Sequence, residues 1–226
     1  MGVTGIIGIS SPEIARYAEF YSSLSRVARP PGTALAHSLG QVISTNRNMI
    51  SERALEVGAE WVWYVDDDHL FQPDALMRLL ARDVDIVSGL YLQRRIPYTP
   101  HRYNREEATG ALWPMPLLPG DSGMSEALAT GAGCLLVKTA VLRKMEPPYW
   151  RLGQMAPDVW GDDFDFCRRA RAAGFKIWCD LDVWADHYVI HRVSPHRDEQ
   201  GVWTTRIMEG QTQLADLPAA YEEKRS

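Results

Sequence analysis

Short apolar runs alternate along this chain with longer amphipathic stretches. Val3 to Ile9 is one such run and Trp61 to Val65 another, the second rich in Val, Trp and Tyr. Runs of that length and composition read as buried strands. After the first comes Ser10-Ser11-Pro12-Glu13, with a cap residue, Pro at the first helical position and an acid in the first turn. It predicts a helix to about Ala28, stopped by Pro30-Pro31. Thr33 to His37 reads as a second strand, and Ser44 to Val57 as a helix ended by Gly58. Pro73-Asp74 opens a helix with Leu76, Leu79 and Leu80 on one face, and Asp85 to Ser88 is a fourth strand. This strand–helix alternation predicts an α/β, Rossmann-like fold, a mostly parallel central sheet flanked by helices. In such sheets ligands bind beyond the carboxyl ends of the strands, where Ser10-Ser11, His37 and Asp66-Asp67-Asp68 all fall.

The second half is less regular. Residues 91–125 are rich in Pro, Arg and Gly and too long for a structureless connection, which suggests a functional loop or lid. Glu126 to Val137 reads as two strands about Gly131-Ala132-Gly133, and Lys138 to Met145 as a short helix. Asp162 to Ala173 is a helix ended by Gly174. Phe175 to Trp178 and Val183-Trp184 are strands before His187. The expected organisation is one domain over 1–190 and a C-terminal arm or tail over 191–226.

The strand at Trp61 ends abruptly in Asp66-Asp67-Asp68-His69. Unpaired buried charge is very costly, so these carboxylates must emerge at a sheet edge. A hard divalent cation is the usual reason for such a cluster. The bland alternative is a polar loop with one Asp capping the next helix. A second acidic cluster, Asp162-Asp163 with Asp165, opens a later helix, where the macrodipole favours carboxylates. A helix start at a crevice is also a rigid mount for a general base. His187 follows at the end of a strand. Most lone histidines are structural, but an imidazole there can complete the shell of a cation held by carboxylates. His69 is expected to support the loop.

Composition narrows the partners. With 226 residues, 46% of them hydrophobic, the chain can bury a large core, and its net charge of −5 argues against broad polyanion binding. Three cysteines without CxxC spacing indicate neither a disulfide framework nor a zinc knuckle. A reducing, cytoplasmic setting is expected. The N-terminal run lacks a basic segment and reads as a strand rather than a signal peptide. No stretch approaches the roughly 20 apolar residues of a membrane helix.

From Ile6 to His187 these pieces together resemble the GT-A fold glycosyltransferases, most closely the family-2-like group of nucleotide-sugar transferases. Thr45-Asn46-Arg47-Asn48 resembles the family's Arg-Asn segment. Val65-Asp66-Asp67-Asp68-His69 with the trailing Pro73-Asp74 looks like the DxD motif, and Thr130 to Lys138 like the glycine-bearing strand pair beside the sugar. Gly161-Asp162-Asp163 through Gly174-Phe175 looks like the acidic-pair helix, and His187 corresponds to the family's late His. The resemblance implies a metal-dependent, hexosyltransferase-type enzyme. It would move a sugar from a nucleotide-diphosphate donor, a UDP-sugar being favoured, to an acceptor hydroxyl, inverting with an Asp base. It further implies Mn2+ or Mg2+ on Asp66, Asp68 and His187, and a donor held by Ser10, Pro12, Arg47, Asn48, Asp66 and Asp67. Gly133 would let backbone approach the sugar. Asp163 would be the base and Asp162 its neighbour or substitute, in place of the usual Glu-Asp pair.

Three rivals are a nucleotidyltransferase, a metal-dependent hydrolase and a non-catalytic nucleotide-sugar binding module. The first wants a basic, glycine-rich loop after strand one, and Gly8-Ile9-Ser10-Ser11-Pro12 lacks it. The acceptor is expected to be a saccharide, with a modified DNA base as the alternative. Tyr91, Arg94, Arg95, His101, Arg102 and Arg105 form a basic-aromatic stretch, either a solvated loop, or a cover over the diphosphate or a contact to an anionic acceptor. Trp113, Trp150 and Trp160 offer stacking surfaces or core.

Overall fold

The computed structural model describes residues 2–11, 18–94, 96–105, 112–152, 161–189, 191–197, 199–200, 203–209 and 212–218. The elements are β1 (Gly5–Ser11), α1 (Ala18–Arg26), β2 (Thr33–Leu39), α2 (Ile43–Glu56), β3 (Trp61–Asp66), β4 (His69–Phe71), α3 (Ala75–Ala81) and β5 (Ile86–Leu90). There follow β6 (Arg102–Arg105), β7 (Leu112–Pro114), β8 (Met124–Ala127), β9 (Ala129–Thr130), β10 (Cys134–Lys138), α4 (Thr139–Lys144), α5 (Asp162–Ala172) and β11 (Ile177–His187). The last strands are β12 (Arg192–Arg197), β13 (Trp203–Glu209) and β14 (Thr212–Pro218). The chain divides into two compact units, Met1–His187 and Tyr188–Ser226.

The first unit is built on an eight-stranded sheet of order β2-β1-β3-β10-β5-β11-β4, with β8 also paired to β11. β1 is parallel to β2 and β3, and β5 to β11, while β10 runs antiparallel between β3 and β5. β4 and β8 are antiparallel to β11. The mostly parallel sheet expected from the sequence is present, and so is its cause. Val62 and Tyr64 pack into the core on the α2 side with Ile50 and Ala54, whereas Trp61, Trp63 and Val65 pack with Phe20, Leu24, Leu76 and Leu79 of α1 and α3. Side chains alternate across a strand, so a strand covered on both faces reads as one unbroken apolar run. Gly8 lets α2 approach β1: a Cβ there would lie 2.4 Å from Ile50 Cγ2.

Several elements differ from expectation. Ser10 and Ser11 end β1 rather than cap a helix, and the expected helix start at 12–17 lies outside the described residues. Residues 91–125 hold β6, β7 and the start of β8. Residues 177–187 form one long strand where two were expected. The described part of residues 191–226, for which no strands were expected, forms an antiparallel three-stranded sheet, β12-β13-β14. Among the described residues no helix is long and apolar enough to cross a membrane. The three cysteines are buried and free.

Candidate functional site

β3 runs out at Asp66, the chain turns through Asp67-Asp68, and β4 returns antiparallel against the end of β11. The register places His187 opposite His69. Directly opposed residues on one face of such a pair are in side-chain contact, and the two rings stack with centroids 4.2 Å apart. His69 Nδ1 lies 3.0 Å from Asp68 Oδ1, and His187 Nε2 3.6 Å from Asp68 Oδ2. One ligand atom from each of Asp68, His69 and His187 falls within 4.8 Å of the others. His187 Nδ1 donates to the Leu92 carbonyl at 2.8 Å, because a carbonyl can only accept. Nε2 is then the ring nitrogen turned towards Asp68. His69 Nε2 is buried with no hydrogen-bond partner among the described residues, an arrangement that is costly unless something occupies it. Burial pushes the His69 pKa down, against the pull of Asp68, which favours the neutral imidazole, the form that binds metals. Burial would raise the Asp68 carboxyl, but the neighbouring His187 and His69 rings outweigh it and hold Asp68 well below the usual carboxylate range. One carboxylate and two oriented imidazoles fit a divalent transition-metal ion.

Arg47 organises the other half. From α2, its Nη1 donates to both oxygens of Asp162 at 3.0 Å, and its Nη2 to both oxygens of Asp66 at 2.9 and 3.1 Å. Burial alone would lower the Arg47 pKa, but Asp66, Asp162 and Asp163 reverse that and hold it charged. Asp162 and Asp163 stand in the first turn of α5. Asp163 Oδ1 accepts the Phe164 N–H at 2.9 Å. Burial pushes the Asp163 carboxyl up to about 7, with Arg47 opposing the shift and Asp162 and Asp66 adding to it. Asp162 is thus held by the guanidinium, while Asp163 titrates where a general base is most effective.

Gly133 lies between the halves. Its N–H donates to Tyr91 Oη at 3.0 Å. A Cβ on it would lie 2.6 Å from His69 Cε1 and 3.3 Å from Asp66 Oδ2, so the close approach at Gly133 is to these side chains. Tyr91 stacks on His101 and meets His69 edge-on. Burial, followed by the neighbouring His187 and His69, pushes His101 down to about 4.

The remaining candidates are dispersed. Ser10 is buried, its Oγ without a hydrogen-bond partner among the described residues, and Pro12 lies outside them. Asn48 spends its amide on backbone: Nδ2 donates to the Ser44 and Trp150 carbonyls, and Oδ1 accepts the Trp150 N–H. Asp67 is buried and its charge acts on His37 and Tyr21, towards the β1–β2 end of the crevice. Asp66, expected as a ligand beside Asp68, is paired with Arg47, and His69, expected to support the loop, stands in the histidine cluster. Within the basic stretch Arg102 is buried and donates to Ser125 Oγ and the Pro116 carbonyl, whereas Arg94 Nη1 reaches Asp68 Oδ2 at 2.8 Å. Arg95, Trp160 and the Arg105 side chain lie outside the described residues. Trp150 is core, stacked on Phe166, and Trp113 is exposed.

The fold has counterparts among solved structures. A197 from STIV superposes with a TM-score of 0.59 over 84% of this chain and 87% of that one, at 15% identity. GalNAc-T7, solved with UDP, GalNAc and Mn2+, gives 0.58 over 83% of this chain and 44% of its own, at 9% identity. TarS of S. aureus gives 0.50 over 82% and 36%, at 14% identity. The chain therefore has a GT-A-like glycosyltransferase fold. It spans less than half the length of GalNAc-T7 and of TarS. No protein-family model and no curated protein sequence matches it.

Proposed function

We propose that this chain is a metal-dependent glycosyltransferase that moves a sugar from a nucleoside-diphosphate donor, in first place a UDP-sugar, to a hydroxyl of a saccharide acceptor. The observation that carries this reading is the pairing, on one GT-A-like fold, of two unlike acidic groups. Asp68 with His69 and His187 has the donor set for Mn2+ or a similar ion. Asp163, its carboxyl near 7, has the protonation behaviour of a base. A divalent ion held by the first group would stabilise charge building on the departing diphosphate. Asp163 would take the proton of the acceptor hydroxyl on the face opposite the leaving group, and so invert the anomeric centre. Arg47 would engage Asp66 and Asp162, leaving Asp163 as the carboxylate of the three to take that proton. Ser10 and Asp67, at the ends of β1 and β3, are proposed to face the nucleoside.

The test is Mn2+ binding and sugar transfer across a panel of nucleotide sugars and acceptors, with Asp68→Ala alongside. Transfer that requires Mn2+ and disappears in Asp68→Ala is the expected result. Donor binding without transfer to any acceptor would instead make the chain a binding module. Pyrophosphate release from a nucleoside triphosphate and a sugar phosphate would make it a nucleotidyltransferase.

A further inference from the structure

Arg94 has no part in the chemistry above, yet its Nη1 donates to Asp68 Oδ2 at 2.8 Å, the oxygen that His187 Nε2 approaches at 3.6 Å. Asp68 Oδ1 faces His69 Nδ1 at 3.0 Å. A positive group thus already rests on the one carboxylate of the Asp-His-His set. A guanidinium and a divalent cation on the same carboxylate repel each other strongly at such separations. Of the two, the guanidinium is the one free to leave: its side chain is 51% exposed, against 6% for Asp68, and an ion pair with an exposed partner is weak. The segment itself stays anchored, because the Leu92 carbonyl, two residues upstream, holds His187 Nδ1. A displaced guanidinium would therefore remain within a side chain's reach of the site. Its planar fork of donors matches phosphate oxygens.

We propose that Arg94 and the divalent cation exchange on Asp68, and that the released guanidinium is taken up by the diphosphate of the nucleotide donor. The proposal rests on the reading of Asp68, His69 and His187 as a metal site. In either state a cation, organic or metallic, faces the Asp68 carboxylate. The exchange makes metal binding and donor binding cooperate through one side chain, since the metal frees the group that the donor uses.

Calorimetric titration of the full chain with Mn2+, and then with UDP at saturating Mn2+, tests this on the wild type, Arg94→Ala and Arg94→Lys. Arg94→Ala is expected to bind Mn2+ roughly fivefold tighter in the absence of nucleotide, and UDP roughly fivefold weaker in the presence of Mn2+, as loss of a half-exposed charged pair implies. Arg94→Lys keeps the charge and is expected within about twofold of wild type for Mn2+, because the competition is between charges. A variant that only loosened the loop would weaken both ligands. Unchanged or weaker Mn2+ binding by Arg94→Ala, unchanged UDP binding, or a Lys variant as tight for Mn2+ as the Ala variant overturns the exchange. Wild type that binds Mn2+ while Arg94→Ala gains nothing sinks the exchange alone. Failure of both to bind Mn2+ sinks the metal reading with it.

Discussion

Arg47 and Arg94 each hold one carboxylate of the same acidic run, and the two pairs are opposites. The Arg47 side chain is 4% exposed and gripped by Asp66 and Asp162 together. Arg94 is half exposed, and Asp68 is its one ion-pair partner among the described residues. The first is a fixed charge built into the core, the second a charge that solvent or another cation can replace. The Arg47 clamp also bears on Asp163. One guanidinium faces three carboxylates, Asp66, Asp162 and Asp163, and can neutralise only part of that charge. Burial pushes Asp163, the carboxylate with no direct arginine contact in the clamp, up to about 7. The charges of Asp162 and Asp66 that Arg47 does not cancel add to the shift.

The sharpest test is to remove each arginine in turn. Arg47→Met takes the cation from a buried group of carboxylates and is expected to cost about 3–5 kcal/mol of stability, as breaking a buried pair from one side does. Arg94→Ala is expected to cost within about 0.5 kcal/mol, as at an ordinary surface position. Urea denaturation of both variants at pH 7.5 measures the contrast. Equal losses would mean that the two pairs are not different in kind.

Asp163→Asn comes next. If Asp163 is the base, turnover should fall at least about 100-fold while UDP-sugar affinity is retained, and wild-type turnover should rise with pH through about 7, where Asp163 loses its proton. Stability moves the opposite way. The folded pKa of about 7 lies above the ordinary 3.8, so the folded state holds the proton more tightly and the stabilisation is fully present below the ordinary value. It is lost as pH rises through the folded value. Asparagine cannot ionise, so the variant should melt with the wild type near pH 4 and progressively above it towards pH 8. A thermal-melt series across that range checks it, and a constant gap between the two proteins would rule out Asp163 as the titrating group.

The outline of the fold was legible in the sequence because β1, β3 and β5 are buried along nearly their whole length, and β3 reads as one unbroken apolar run up to Asp66. What was not legible depends on contacts far apart in the chain. Arg47 and Asp162 are 115 residues apart, and no local pattern ties them. β4 has three residues, too few for a period, so nothing local showed that His69 would face His187. β11 read as two strands because Asp180 and Asp182 interrupt its apolar pattern. Asp180 is nevertheless buried, its charge met by Arg82 at 2.6 and 3.1 Å, a partner from the end of α3. The acidic clusters themselves were visible at once. How their charges are shared out was not, because it depends on which arginine reaches which oxygen.

Asn48, next to Arg47, gives the smallest and most discriminating test. The family resemblance assigns it to the nucleotide, but among the described residues its amide bonds go to backbone. Its Nδ2 donates to Ser44 at 2.9 Å and to Trp150 at 2.7 Å, and its Oδ1 accepts the Trp150 N–H at 3.0 Å. Trp150 in turn lies under the Arg47 guanidinium, 5.3 Å from ring to charge, and stacks on Phe166 of α5. Asn48 therefore helps fix the two elements that carry the clamp, α2 and α5, without itself facing a ligand. Asn48→Ala should cost about 1–2 kcal/mol, the price of leaving part-buried backbone groups unmatched, and should leave UDP affinity within about twofold, since no lost contact is to the ligand. A tenfold loss of UDP binding at unchanged stability would reverse this assignment: the amide would then turn to the nucleotide when it binds, and the backbone contacts would belong to the free protein alone.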